Sequence, residues 1–367
     1  MINEKRLLDT FIGYAMIDSE TKNEKAMGEK LVEDLKALGL EVKTDKAGEG
    51  FGSNGFNVCA YLPGTIPGEP TIMCAHMDTV TPGNGIKPLI DDGIIHTDGS
   101  TILSGDDKSG IAAIMEAVKV IKEQNLPCRN TEILFTIGEE GGMNGVKNMD
   151  LSMIKGKEAM GFDASGDGKI LTCGPGQIKI FATIIGRSSH AGLAPEEGIS
   201  AIQVAAKGIA KMNLLRIDEE TTCNIGTLKA EYATNIVPEK AEFVAEVRSR
   251  NLDKLNAQAA HMQKCLQDAC DEMGAKLEIE LKTNYVSFNV ANDDPMVQRV
   301  FESCKRIGCE PMTAKGGGGS DANVMALHGI KPIVLSTGMT KVHTTGETLK
   351  IENLNKCAEL VLDLMTH

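Results

Sequence analysis

No stretch of the 367-residue chain approaches the ~20 consecutive apolar residues that a membrane-crossing helix needs. A basic excess is also missing. The 38 Lys and Arg face 51 Asp and Glu, leaving a formal net charge of −13. That balance argues against nucleic acid, whose phosphates need a basic face, and against adsorption to an anionic membrane. The ten cysteines contain no CxxC spacing. The closest pairs, Cys265/Cys270 and Cys304/Cys309, stand five apart, which suits neither a zinc knuckle nor a typical disulfide framework. The chain starts MINEKRLLDT, charged and without the continuous apolar core of a secretory signal. Free thiols in the cytoplasm are therefore expected. Internal repeats, coiled-coil heptads and low-complexity tracts are absent. The 18 methionines lack clustered MxxM spacing and read as core filling rather than a copper site.

What is present is an ordinary globular composition, 42% hydrophobic and 24% charged. The length exceeds the usual size of one core, so two domains are the default. Residues 22–38 and 110–125 carry helical periodicity. FNVCAYLPG (56–64), PTIMCAHMD (70–78), TEILFTIG (131–138) and KEAMGFDAS (157–165) read as strands. Near-continuous apolar strands alternating with helices predict an α/β fold with a mostly parallel sheet covered on both faces. The style changes near GPGQ (174–177): a β-α-β-β-α-β order follows, that of a ferredoxin-like unit. The first style resumes from about Asp294. Residues 177–287 thus read as a small domain inserted into a larger one formed by 1–176 and 288–367.

Three apolar strands end on potential metal ligands: TIMCA on His76-Met77-Asp78, EILFTIG on Glu139-Glu140, and AMGF on Asp163. LSGDDKSG places Asp106 and Asp107 in a glycine-flanked turn before a helix. Ligand sites of open α/β sheets lie beyond the carboxyl ends of the strands, so these groups should converge. Six carboxylates in one crevice repel unless cations occupy it or some take up protons. One imidazole with carboxylate oxygens and no thiolate suits zinc, manganese or cobalt in a catalytic site. In His-x-Asp on a strand, alternate residues share a face, so Asp78 can orient the His76 ring. VHTTGE offers His343 as a later ligand. Of the adjacent glutamates, one can bind metal while the other deprotonates water.

HMDTV, HTDGSTILSGDDKSG, IGEEGG, GFDA, GRSSHAGLAPEEGISAI, the Arg of AEVRS, GGGGSDAN and VHTTGE together resemble the dizinc metallopeptidase family that includes peptidase T, aminoacylases and carboxypeptidase G. The match spans nearly the whole chain in order. TDGSTILSGDDKSG and HAGLAPEEGISAI are most similar to the peptidase T-like tripeptidases. The resemblance implies two Zn2+ per subunit, one on His76, Asp106 and Asp163, the other on Asp106, Glu140 and His343. Asp106 then bridges, Asp78 supports His76, and Glu139 is the general base for attack of a metal-bridging water. The resemblance further implies a cis Asp106–Asp107 peptide and an inserted domain that serves as lid and dimer interface. His190 would polarise the scissile carbonyl, in some relatives from the partner subunit. Arg248, Asn235 and the loop with Gly318 and Gly319 would contact substrate.

Blander readings compete at the less specific positions. His190 after a strand can cap the following turn, and Arg248 can form a plain surface salt bridge. GGGGSDAN lacks the Lys-Ser/Thr ending of a P-loop and the GxGxxG spacing of a dinucleotide site. It is expected to line the cleft with backbone N–H groups, with a flexible turn as the alternative. His96, His261, His328 and His367 have no carboxylate company in matching motifs and are expected to be structural or surface residues. The implied activity is release of the N-terminal residue of tripeptides by a homodimer. An N-acyl amino acid deacylase, a dipeptidase or a carboxypeptidase would use the same metals. A non-catalytic peptide-binding or metal-binding protein is the reading from another class.

Overall fold

The computed structural model describes all 367 residues, which form two compact bodies. The first comprises Met1–Cys173, Asn289–Gly316 and Ser320–His367; the second comprises Gly174–Phe288 with Gly317–Gly319.

The centre of the first body is a run of four mutually parallel strands. In spatial order they are Arg129–Thr136, Ile66–His76, Glu158–Ala164 and Lys331–Ser336. Val58–Leu62 and Glu41–Thr44 extend one side in antiparallel fashion, and Lys169–Gly174 extends the other. In Ile66–His76 the consecutive residues Ile72, Met73, Cys74 and Ala75 are all buried. Neither face of that strand meets water, which is why its sequence runs apolar rather than alternating. The helix Gly105–Gln124 packs against this strand and against the helices Glu4–Ala15 and Ile351–Thr366. Ile111, Ile114, Met115, Val118 and Ile121 are buried there, as their spacing predicts. Those two terminal helices, and the strand Lys169–Gly174, are elements the sequence reading did not mark.

Because the four central strands run the same way, their carboxyl ends share one edge of the sheet. His76 closes its strand, Asp163 is the penultimate residue of Glu158–Ala164, and Glu139 and Glu140 follow Thr136 by three and four residues. His343 follows the end of Lys331–Ser336. The topology therefore delivers these side chains to one place.

The second body is a five-stranded antiparallel sheet whose first strand, Gly176–Ile185, lies between Lys240–Ser249 and Lys276–Tyr285. Thr221–Lys229 and then Leu215–Arg216 complete it. Ile178, Ile180, Ala182 and Ile184 alternate inward and share a core with Phe243, Ala245 and Val247, and with Val204, Met262 and Leu266 of two covering helices.

Candidate metal centre

Asp106 occupies the turn that opens the helix Gly105–Gln124, and the Asp106–Asp107 peptide is cis. Its two oxygens point to different imidazoles. Oδ1 lies 3.0 Å from His76 Nε2, and Oδ2 lies 3.2 Å from His343 Nε2. Asp163 Oδ1 stands 3.7 Å from the same His76 nitrogen, and Glu140 Oε1 stands 3.0 Å from His343 Nε2. Donor atoms of His76, Asp106 and Glu140 all lie within 4.8 Å of one another, as do those of His76, Asp107 and Asp163. The structure thus brings together His76, Asp106, Asp107, Glu140, Asp163 and His343. His343 is half exposed and has φ 61°, in the left-handed region where histidine is enriched among non-glycine residues.

The electrostatics ask for cations. His76 Nδ1 lies 2.9 Å from the carbonyl oxygen of Asp78. That bond places the ring proton on Nδ1 and turns the Nε2 lone pair toward the oxygens of Asp106 and Asp163. Glu140 Oε1 is buried and, despite its distance to His343, makes no aligned hydrogen bond. Lone pairs facing lone pairs at such distances need a proton or a metal ion between them. Without metal, protons fill that role. Burial alone would lower the His76 pKa, but Asp106 and Asp163 outweigh it and raise the group well above its ordinary value. Asp106 and Glu140 raise His343 to about 10. Burial, opposed by His76, raises Asp163 to about 7. Asp107 and Glu139 are raised by burial first and by the Asp163 charge second. Imidazole nitrogen and carboxylate oxygen, with no thiolate, form a donor set that fits two catalytic divalent ions sharing one carboxylate.

Asp78 meets the His76 ring mainly through its backbone. Its carboxylate stands 3.6 Å from His76 Nδ1, and the bond to the ring comes from its backbone carbonyl instead. The carboxylate accepts the N–H of Glu139 at 2.9 Å, the N–H of Glu140 at 3.2 Å and the Thr21 hydroxyl at 2.8 Å. Three donors hold a buried carboxylate better than one ring N–H can. The strand has ended at His76, so the alternation that would aim Asp78 at the ring no longer applies.

Two acids were not assigned from the sequence. Glu347, buried, accepts the backbone N–H groups of Leu103, Ser104 and Asp106 at 2.9, 3.0 and 2.9 Å. It fixes the turn that presents Asp106. Its signal was its place in VHTTGE, four residues after His343. Asp321, after the glycine loop, accepts the Thr136 hydroxyl at 2.5 Å and is raised to about 6, chiefly by burial.

The remaining residues named from the sequence lie in the second body. His190 Nδ1 accepts the N–H groups of Gly192 and Leu193, each at 3.2 Å. These bonds place the ring proton on Nε2, so the exposed ring presents an N–H donor. Asn235 is beside it, its carbonyl accepting the Ala191 N–H at 2.9 Å. Arg248 is paired with Glu246 through Nε at 2.8 Å and Nη2 at 3.1 Å. Gln177 and Asn284 continue that chain of bonds. A Cβ at Gly319 would stand 2.4 Å from the Tyr285 ring, so only glycine fits against it. At Gly318 a Cβ would meet nothing within 4 Å.

Comparison with known proteins agrees with this geometry. The aminopeptidase PepT of Bacillus cereus has a solved structure that superposes with a TM-score of 0.94 at 42% identity, covering 100% of this chain and 98% of that one. A tripeptidase of Staphylococcus aureus superposes with a TM-score of 0.95 at 38% identity, again over 100% and 98%. Peptidase T of Edwardsiella ictaluri is 25% identical over 404 residues, covering 97% of this chain and 96% of its own. Residues 72–367 match the peptidase family M20/M25/M40. That span holds every residue of the two-imidazole cluster, and the chain belongs to this peptidase family.

Proposed function

We propose that the protein is a two-metal exopeptidase that releases the N-terminal residue of short peptides, tripeptides above all. The observation that carries this is Asp106, whose two oxygens face two imidazoles 3.0 and 3.2 Å away, with Glu139 on the neighbouring strand end. His76, Asp106 and Asp163 would hold one ion, and Asp106, Glu140 and His343 the other. Zinc is the ion we favour, because the donor set is nitrogen and oxygen with no preference imposed by redox chemistry; Co2+ or Mn2+ would substitute. Divalent ions held there supply Lewis acidity that acidifies water and polarises the amide carbonyl.

The chain's own groups do the rest. Glu139 accepts the proton of the attacking water and delivers it to the leaving amine. Burial and the Asp163 charge raise its pKa above the ordinary carboxylate range, which suits a group that must take up and return a proton. His190 offers its Nε2–H to the carbonyl oxygen as negative charge develops there. Arg248 offers its fork to the carboxylate of the peptide, exchanging Glu246 for substrate. Asn235 and the backbone of Gly318 and Gly319 complete the substrate contacts. The 177–287 segment would act as the lid and as the interface of a homodimer. All ten cysteines are free thiols, which agrees with work in the cytoplasm.

Product analysis by mass spectrometry on the metal-loaded protein tests the reading. The panel holds a tripeptide, its N-acetylated form, a dipeptide and an N-acyl amino acid. Release of the first residue from the free tripeptide alone is expected. Cleavage of the acylated compounds instead would move the protein to the deacylases.

A further inference from the structure

Away from the metal cluster, the first body contains a cavity of ≈ 370 Å³ that the reaction does not use. Three cysteines line it: Cys304, Cys309 and Cys357. Lys169 and Lys356 bring cations to the same cavity, and Asp167 and Glu310 bring acids.

Cys304 and Cys309 are joined by the way their helix ends. The helix Pro295–Arg306 stops at Ile307, and Gly308 follows with φ 75°. The Cys309 N–H then bonds the Cys304 carbonyl at 2.8 Å, and the Gly308 N–H bonds the Lys305 carbonyl at 3.1 Å. These two bonds define a Schellman motif, in which the residue after the left-handed glycine folds back onto the one five before it, commonly with side-chain contact. Here both of those positions are cysteines. Cys304 is 4% exposed and Cys309 is half-buried at the cavity. Burial first, and then the neighbouring Cys309, push the Cys304 thiol up to about 11.

The other pair at the same spacing is an internal control. Cys265 and Cys270 lie inside the unbroken helix Leu252–Met273. Five residues along a continuous helix turn ~140° and rise ~7.5 Å, which puts the Cα atoms ~8.6 Å apart. That exceeds the ~7 Å beyond which a disulfide needs backbone movement.

We propose that Cys304 and Cys309 form a peroxide-responsive thiol pair, with Cys309 the attacking sulfur and Cys304 the resolving one. The Cys309 thiolate attacks the O–O bond of a hydroperoxide, becoming a sulfenic acid as water or an alcohol leaves. The Cys304 sulfur attacks that sulfenic sulfur, the S–S bond forms, and a second water leaves. The two thiols lose two electrons in total, the peroxide gains them, and a thiol reductant reverses the change. Cytosolic disulfides of this kind are transient rather than structural.

The test treats the folded, metal-loaded enzyme with dilute hydrogen peroxide, blocks remaining thiols, digests with trypsin and reads masses without reduction. Lys305 and Arg306 lie between the two cysteines, so trypsin leaves two fragments held together only by the new bond. We expect that linked species, its disappearance on reduction, and the loss of two titratable thiols per chain. The peptide spanning Cys265 and Cys270 should keep its full mass. Cys304→Ser should leave Cys309 as a sulfenic acid that a cyclic dione traps, and Cys309→Ser should abolish oxidation of Cys304. A bond at Cys265–Cys270, a bond to Cys357, or Cys309 left unmodified in the wild-type chain would each overturn the proposal.

Discussion

The carboxylate of Asp78 accepts the backbone N–H of Glu139 at 2.9 Å and, through its other oxygen, that of Glu140 at 3.2 Å. One buried side chain therefore sets the positions of both adjacent glutamates, while its carbonyl sets the His76 ring. Asp78→Ala leaves those N–H groups without their acceptor and frees the Glu139–Glu140 segment to shift. The expected result is a fall in kcat of about 10–100-fold, the usual range for groups that orient metal ligands. KM should change little, because no substrate contact is assigned to Asp78. Steady-state kinetics on a tripeptide would check this; a change confined to KM would contradict it.

Glu139 and Glu140 are adjacent in sequence but differ in their partners. Glu140 reaches His343 at 3.0 Å, whereas Glu139 has no imidazole partner. Glu139→Ala should accordingly retain both metal ions, counted by elemental analysis, and lose about 10²–10⁴-fold in turnover, the range for a general base. Glu140→Ala should lose metal as well. Equal activity of Glu139→Ala and the wild type would remove Glu139 from the base role.

Much of the site was legible in the sequence because of one topological fact. Parallel strands leave all their carboxyl ends on one edge, so acids written directly after apolar runs, as in TIMCAHMD, LFTIGEE and AMGFD, must meet. What was not legible depends on contacts across long separations. Glu347 reaches the Leu103 N–H over 244 residues, and Asp78 reaches the Glu139 N–H over 61. Both are side-chain bonds to backbone that no local periodicity encodes. The strand whose alternation suggested Asp78 as the partner of His76 ends two residues before Asp78. Likewise, a spacing of five hid the difference between Cys304/Cys309 and Cys265/Cys270, which lies in whether a glycine ends the helix between them.

Glu347 gives a prediction on stability as well as on metal. Its carboxylate accepts three backbone N–H groups in a buried position, and Gly105 leaves room for it, since a Cβ there would stand 2.9 Å from Glu347 Oε1. Glu347→Ala strands those donors, at a cost of about 3 kcal/mol by the usual penalty for unpaired buried groups. It also loosens the turn that carries Asp106. The melting temperature of the loaded protein should drop by roughly 6–12 °C, on a scale of ~2–4 °C per kcal/mol for a large domain, and metal affinity should weaken with it. Glu347→Gln keeps one acceptor oxygen and should recover part of both. A variant with unchanged melting and unchanged metal affinity would show that the clamp is dispensable.

The pH dependence of the metal-free protein follows from its raised carboxyl groups. Burial lifts Asp163 and Glu347 to about 7 and Asp321 to about 6, all above the ordinary carboxylate values they have in the unfolded chain. A carboxyl group whose folded pKa is raised contributes stability that is fully present below its unfolded pKa and is lost as pH rises through the folded one. His76 and His343 are also raised; their stabilisation is full below the ordinary histidine value of about 6.5 and falls as pH rises above it, for His343 toward about 10, which adds to the same trend at the upper end of the range. Asp106, held low by the imidazoles, loses its contribution only in strong acid. Between about pH 4.5 and pH 7 these raised carboxyl groups, joined by Asp107 and Glu139, which burial and the Asp163 charge also raise, therefore dominate, and the chelated protein should melt at progressively lower temperature as pH increases. Divalent ions would substitute for the proton on Asp163, the one of the three named above that would hold metal, so the loaded protein should show a shallower decline. Melting curves of the two forms in matched salt, from about pH 5 to about pH 8, decide the matter. Parallel curves would mean that the carboxylates are balanced by something other than metal, and the two-ion reading of the cluster would fall with them.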